Sequence, residues 1–163
     1  MGNCNVNIRL LTLFCTLLFL ISCASAPKPR MLEGGIVTSP DLNPDHNNRP
    51  SPVVLRVYQL NIKENFVNAD FFSLYDDAQT LLAKDLISVE ERELLPGARY
   101  EYDLELDPET NYVGIVVAFR EIDKAQWISI AQVPEKKWFD LIDKPVIEIS
   151  IKKLSAVIEF RIP

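Results

Sequence analysis

A mainly β domain, a two-sheet β-sandwich with one small helical insertion, is what this 163-residue chain predicts. Three features carry the prediction. Val53–Leu60 is rich in β-branched residues and sets Val53, Leu55 and Val57 on one face, with Arg56 on the other. Tyr100, Tyr102, Leu104 and Leu106 alternate with Glu101, Asp103 and Glu105, one face apolar and one wet. Between these segments the period changes once. Phe71, Leu74, Tyr75, Ala78, Leu81 and Leu82 recur at steps of three and four, which marks an amphipathic helix.

Taken in order, the chain opens with Arg9, an apolar run Leu10–Ile21 broken by Thr12 and Thr16, and then Leu20-Ile21-Ser22-Cys23. The run suits the core of an export signal and falls short of the roughly 20 residues a membrane-spanning helix needs. Leu20-Ile21-Ser22-Cys23 resembles the bacterial lipobox, whose cysteine becomes the acylated first residue. The alternative is an ordinary secretory signal cut at Ala24-Ser25-Ala26, with Cys23 incidental. Residues 1–22 are thus expected to be removed and 31–163 to form the domain. Cys23–Arg30, small and proline-containing, reads as an extended tether of about 25 Å at ~3.1–3.3 Å per residue.

Met31–Val37 is a poor first strand because of Gly34-Gly35. Ser39–Pro52, dense in Pro, Asn and Asp, is a loop. After the Val53–Leu60 strand, the helix spans Ala69–Leu86, with Asp70 at its N-cap and Asp76-Asp77 able to break it in two. Ser88–Leu94 is a weak strand closed by Pro96-Gly97, and Asp107–Asn111 is a turn. Tyr112–Phe119, apolar on both faces around Gly114, suits a central strand. Trp127–Val133, Val146–Lys152 and Ala156–Ile162 bring the set to seven or eight strands.

Composition narrows the function. The net charge is −6, and removal of Arg9 with the signal makes the remainder one unit more negative. An acidic surface argues against nucleic acid and against peripheral binding to anionic lipid. Cys4 and Cys15 leave with the signal and Cys23 takes the lipid, so no thiol remains for a disulfide, a metal or a nucleophile. A hydrophobic content of 48% must then supply the core unaided.

No catalytic or metal centre is expected. His46, the chain's one histidine, sits in the Pro/Asn/Asp loop without packed neighbours to hold it as a base or ligand. Glu101, Asp103 and Glu105 share one solvated strand face, and the adjacent pairs Asp76-Asp77 and Glu90-Glu91 point apart. Trp127, at a strand start, reads as core. Trp138, between strands, is either a core ring or a partly exposed contact. No glycine-rich phosphate loop or basic–aromatic patch is present.

From Asn43-Pro44 through Arg49-Pro50-Ser51-Pro52-Val53 to Val57-Tyr58-Gln59-Leu60, the chain resembles a known family. The likeness continues at Phe66, at Ala69-Asp70-Phe71-Phe72-Ser73-Leu74-Tyr75, Asp85-Leu86 and Leu95-Pro96-Gly97, and in Val113–Arg120 and Trp127. These segments look like the outer-membrane lipoprotein of the type VI secretion system, the TssJ/VasD family. The resemblance implies a transthyretin-like sandwich and a structural role with no cofactor beyond the covalent lipid at Cys23. It implies a lipid-anchored protein on the periplasmic face of the outer membrane. Its implied partner is the periplasmic C-terminal domain of the inner-membrane protein TssM, so that the pair links the two membranes.

The family's protruding loop between its first two strands makes part of that contact and maps onto Ser39–Ser51. The expected binding residues are Asp41, Leu42, Asn43, Pro44, Asp45, His46, Asn47, Asn48 and Arg49. Leu42 is the expected apolar anchor, and removal of Asp41–Asn48 is expected to leave the domain stable. Pro40, Pro44, Pro50 and Pro52 limit the loop's unfolded freedom and so its entropy loss on docking. Asn48 stands where glycine is expected and tolerates positive φ. Ala24, in place of the aspartate that retains lipoproteins in the inner membrane, fits outer-membrane sorting. A second reading is a sandwich lipoprotein binding a glycan or envelope lipid on aromatic residues around Trp138 and Tyr112.

Overall fold

The computed structural model describes residues 29–135 and 145–161. Ten strands form two four-stranded sheets and one two-stranded ribbon. They are β1 (Arg30–Leu32), β2 (Gly34–Thr38), β3 (Val53–Leu60), β4 (Leu86–Leu94), β5 (Arg99–Glu101), β6 (Leu104–Leu106), β7 (Tyr112–Ala118), β8 (Ile128–Gln132), β9 (Val146–Lys152) and β10 (Ser155–Arg161). One sheet runs β10-β9-β2-β5 and the other β4-β3-β7-β8, while β1 pairs with β6. The pairings are antiparallel except β2 with β9.

The main core lies between the sheets. Val53, Leu55 and Val57 of β3 and Val113, Ile115 and Val117 of β7 face Ile36, Ile147, Ile149 and Ile151, all buried. The other face of β3 and β7 is also covered, which is why Tyr112–Phe119 is apolar throughout. Helices α1 (Glu64–Val67) and α2 (Phe71–Leu82) lie across it, burying Phe66, Leu74, Ala78 and Leu82 against Tyr58, Leu60 and Val116. The domain is therefore three layers deep, sheet on sheet on helix.

Asp70 caps α2, its carboxylate accepting from the Ser73 backbone N–H at 3.0 Å. Asp77 interrupts the helix at φ −140°, at the expected break. A 3₁₀ turn, Ala83–Asp85, ends it earlier than expected, because Leu86 pairs with Leu60 and begins β4. Arg56, on the helix-facing side of β3, pairs with Glu91 at 2.7 Å and lies 3.7 Å over the Tyr75 ring. It also donates to the Tyr75 carbonyl. One guanidinium thus ties α2 to the sheet just before the break. At Gly114 a Cβ would meet Phe66 Cζ at 2.4 Å, so glycine is what admits that ring onto β7.

Three strand expectations change. The alternating segment around Tyr100–Leu106 divides into β5 and β6, which join different sheets. Met31–Val37 divides at Glu33 for the same reason, so the strand count rises to ten. The weak Ser88–Leu94 strand becomes one partner of the longest ladder, from Val53↔Leu94 to Leu60↔Leu86. Its alternation was hidden because β4 is an edge strand whose residues from Ser88 to Glu93 are exposed. The glycines that made the first strand look poor have a packing reason. A Cβ at Gly34 would lie 2.0 Å from the Ile147 carbonyl oxygen, so β2 can reach its parallel partner only without one.

The strand directions give the sandwich two unlike ends. β2 rises from Gly34 to Thr38 and β3 descends from Val53 to Leu60, so the connection 39–52 caps one pole. Arg30 pairs with Leu106 at the other pole, beside the Asp107–Asn111 turn, where Asn111 N–H donates to the Leu60 carbonyl. The amino-terminal end of the described chain and the long loop therefore occupy opposite ends.

Candidate partner interface

The loop 39–52 is built from the inside outward. Leu42 is 0% exposed and belongs to the main core. Asn43, 4% exposed with φ +45°, donates through Nδ2 to the Pro52 carbonyl at 2.8 Å and accepts at Oδ1 from Arg120 N–H at 2.8 Å. Its own N–H donates to the Lys153 carbonyl at 2.9 Å. Leu42 also accepts from Ser51 N–H at 3.0 Å, which closes the loop at its base.

The tip is organised by Asp45. Its Oδ1 accepts from the backbone N–H groups of Asn47 at 2.8 Å and Arg49 at 3.0 Å. Its Oδ2 accepts from Arg49 Nε at 2.8 Å and Nη2 at 2.7 Å. Hydrogen bonds from the Arg49 backbone, and next from its guanidinium, hold the Asp45 carboxyl below the usual aspartate range. Asn48 takes φ +59°, the conformation expected of it, and its N–H donates to the Asp45 carbonyl at 2.8 Å. His46, Asn47, Asn48 and Arg49 are exposed, Asp41 is exposed at the shoulder, and Pro44 is half-buried. Asn47 Nδ2 and His46 Nε2 lie 3.0 Å apart.

Two expectations about this loop are corrected. Leu42 is not an exposed anchor: its side chain fills the core, where no partner reaches it. Asn43 is likewise interior, a bracket between three connections. Removing Asp41–Asn48 would therefore open the core, so the loop is not dispensable for the fold. The residues left to meet a partner are Asp41, Pro44 and the tip His46–Arg49.

Two neighbouring turns share this pole. In the β4–β5 turn, the Thr38 hydroxyl donates to the Leu95 carbonyl at 2.6 Å and accepts from Ala98 N–H at 2.8 Å, and Gly97 N–H donates to Ser39 at 3.0 Å. On the other flank stand Arg120 and Lys153, both exposed. Arg120 Nη2 reaches Ser51 Oγ at 3.4 Å.

The remaining sequence candidates fall elsewhere. Glu101, Asp103 and Glu105 are exposed, as their alternation requires. Glu90 accepts from the Tyr102 hydroxyl, and burial first, then this bond, pushes that hydroxyl's pKa up. Trp127 is half-buried, edge-on to Phe71 at 5.4 Å. Tyr112 is half-buried among the helix-facing residues with Lys63 Nζ 5.3 Å over its ring. Cys23 and Trp138 lie outside the described residues. Among the described residues no group of three or more His, Cys, Asp or Glu could hold a metal, and no helix is long and apolar enough to cross a membrane.

Open grooves lie among the described residues. One, of about 550 Å³, lies on the outer face of the β10-β9-β2-β5 sheet, and one, of about 520 Å³, lies beside Arg30 and Asp107. Neither is lined by an aromatic ring, so neither is the aromatic site that a glycan reading requires.

Comparison with known proteins bears directly on this arrangement. The crystal structure of the T6SS lipoprotein TssJ1 from Pseudomonas aeruginosa matches with 30% identity and a TM-score of 0.74, over 82% of this chain and 97% of that one. Serratia marcescens Lip, a membrane-bound component of the type VI secretion system, shares the fold at 21% identity and a TM-score of 0.69, over 83% and 96%. A chain solved under the description T6SS protein TssM C-terminal domain, from EAEC, also shares it, at 21% identity and 0.63, over 79% and 97%. No curated protein matches the chain. The family model described as type VI secretion lipoprotein, VasD, EvfM, TssJ matches residues 30–154, which spans the sandwich from β1 to the β9–β10 turn. The chain belongs to the type VI secretion lipoprotein family, TssJ/VasD.

Proposed function

We propose that this protein is a two-ended adaptor of the type VI secretion envelope complex. Acyl chains on Cys23 hold it in the outer membrane at the periplasmic face, and its loop pole grips the periplasmic C-terminal domain of a TssM-like inner-membrane protein. The observation that carries this reading is polarity. The described chain begins beside Arg30 at one end of the sandwich, and the 39–52 loop stands at the other. A membrane anchor at the first end leaves the second facing the periplasm. A lipid anchor of more than one chain gives stable attachment, since each buried CH₂ contributes about 0.8 kcal/mol.

The loop suits docking because its tip is already ordered. The Asp45 carboxylate holds Asn47 and Arg49, so little backbone freedom is left to lose. The role is mechanical, with no reaction assigned to any residue. Two measurements test it. Cys23→Ser should move the protein from the membrane to the soluble periplasmic fraction with its fold intact; retention in the membrane fraction refutes the anchor. The full chain in detergent should bind a TssM periplasmic fragment, and a tip variant with His46, Asn47 and Arg49 changed to Ala should not. Undiminished binding by the tip variant places the interface elsewhere.

A further inference from the structure

With Leu42 in the core, the loop has no sizeable exposed apolar side chain, and the pole needs another source of desolvated contact. We infer that Leu95, on the β4–β5 turn, is the apolar anchor of this pole. We infer further that the partner meets it with an apolar socket bordered by carboxylates. The inference rests on the proposed partner-binding role and adds a contact outside the loop.

Three observations carry it. Leu95 is 54% exposed, although Leu94 before it is fully buried. Its backbone is held on both sides: its N–H donates to the Tyr100 hydroxyl at 2.9 Å and its carbonyl accepts from the Thr38 hydroxyl at 2.6 Å. The turn is continuous with the loop, since Gly97 N–H donates to the Ser39 carbonyl and a Cβ added at Gly97 would lie 3.6 Å from Pro40 Cα. Pro40, Leu95 and Pro96 therefore form a stiff apolar shoulder beside the charged tip. A leucine presented on a pinned turn loses little entropy on docking, so more of its burial energy is left as affinity.

The socket's border follows from charge. Arg120 and Lys153 flank the opposite side of the loop, joined to it through the two Asn43 hydrogen bonds. They place positive charge at this pole of a chain whose net charge is −6. A partner face carrying carboxylates around an apolar depression is complementary to both flanks, and its association is steered and salt-sensitive.

The test is the affinity of the full chain, in detergent, for a TssM periplasmic fragment. Three variants are compared with the parent: Leu95→Ala, Leu95→Met, and the double charge reversal Arg120→Glu with Lys153→Glu. The expected result is a tenfold or greater loss for Leu95→Ala at unchanged melting temperature, and recovery to within about threefold for Leu95→Met. The charge reversal should lower the association rate and flatten its salt dependence. Binding by Leu95→Ala within twofold of the parent, while the loop-tip variant fails to bind, overturns the Leu95 inference and leaves the loop reading standing. Failure of the parent itself to bind overturns both.

Discussion

Replacing Leu42 with alanine separates a fold residue from an interface residue. Its side chain is 0% exposed among the residues joining the two sheets. Truncation removes three buried carbons and leaves a cavity, at a cost of about 2–5 kcal/mol for such sites. The lower half of that range applies here, since Leu42 sits at the mouth of the core where the loop can settle inward. About 3 kcal/mol corresponds to a fall of roughly 10–12 °C in melting temperature for a domain of this size. Thermal unfolding followed by circular dichroism reads the shift directly. Partner affinity, measured well below both midpoints, should stay within a few-fold of the parent because the side chain meets no partner. An unchanged melting temperature with abolished binding would refute the burial and restore Leu42 as an exposed anchor.

Three further perturbations probe the layers and the tip. Gly114→Ala puts a Cβ where Phe66 Cζ now lies, 2.4 Å away, so the ring must leave β7. The expected cost is about 1–3 kcal/mol, with faster amide exchange across residues 64–82 than in the sheets; uniform protection would contradict the docking described. Arg56→Met strands the Tyr75 carbonyl and Glu91, costing about 1–2 kcal/mol in denaturant unfolding, and Arg56→Lys should recover less than half because the planar fork serves two acceptors. Asp45 supplies a pH signature. Its folded-state pKa lies below the ordinary 3.8, so its contribution is present above that value and lost as pH falls through the folded pKa. Exchange protection of the Asn47 and Arg49 amides should therefore persist at pH 5 and be lost only as pH falls below 3.8, and Asp45→Asn should weaken it at pH 5 and above.

Helix and strand identity were legible where the pattern is local. Val53–Leu60, Tyr112–Phe119 and the Asp70-capped helix each declare their buried faces within one segment, since side-chain direction repeats every 2 or 3.6 residues whatever the rest of the chain does. The break at Asp77 and the positive φ of Asn48 were readable for the same reason. The division of Tyr100–Leu106 between two sheets was not, because a strand that changes partners keeps its alternation. The short helix α1 carried no period of its own in four residues.

At the pole, sequence composition identified a loop of prolines and asparagines. It did not identify which side of that loop is inside. The sequence offers Leu42 as the anchor, and it is core; Leu95, which the sequence shows only as part of a family-like Leu-Pro-Gly turn, is exposed. No local pattern separates them, because both are single leucines in irregular backbone.

By itself the sequence determined the sandwich and its helical cover, both of which follow from short-range periodicity. The tertiary structure alone decided three things: that Gly34 must clear the Ile147 carbonyl, that Leu42 closes the core, and that Arg30 and the 39–52 loop stand at opposite ends. Each depends on which distant strand lies alongside, and that is settled by sheet pairing across more than a hundred residues of chain, as between β2 and β9.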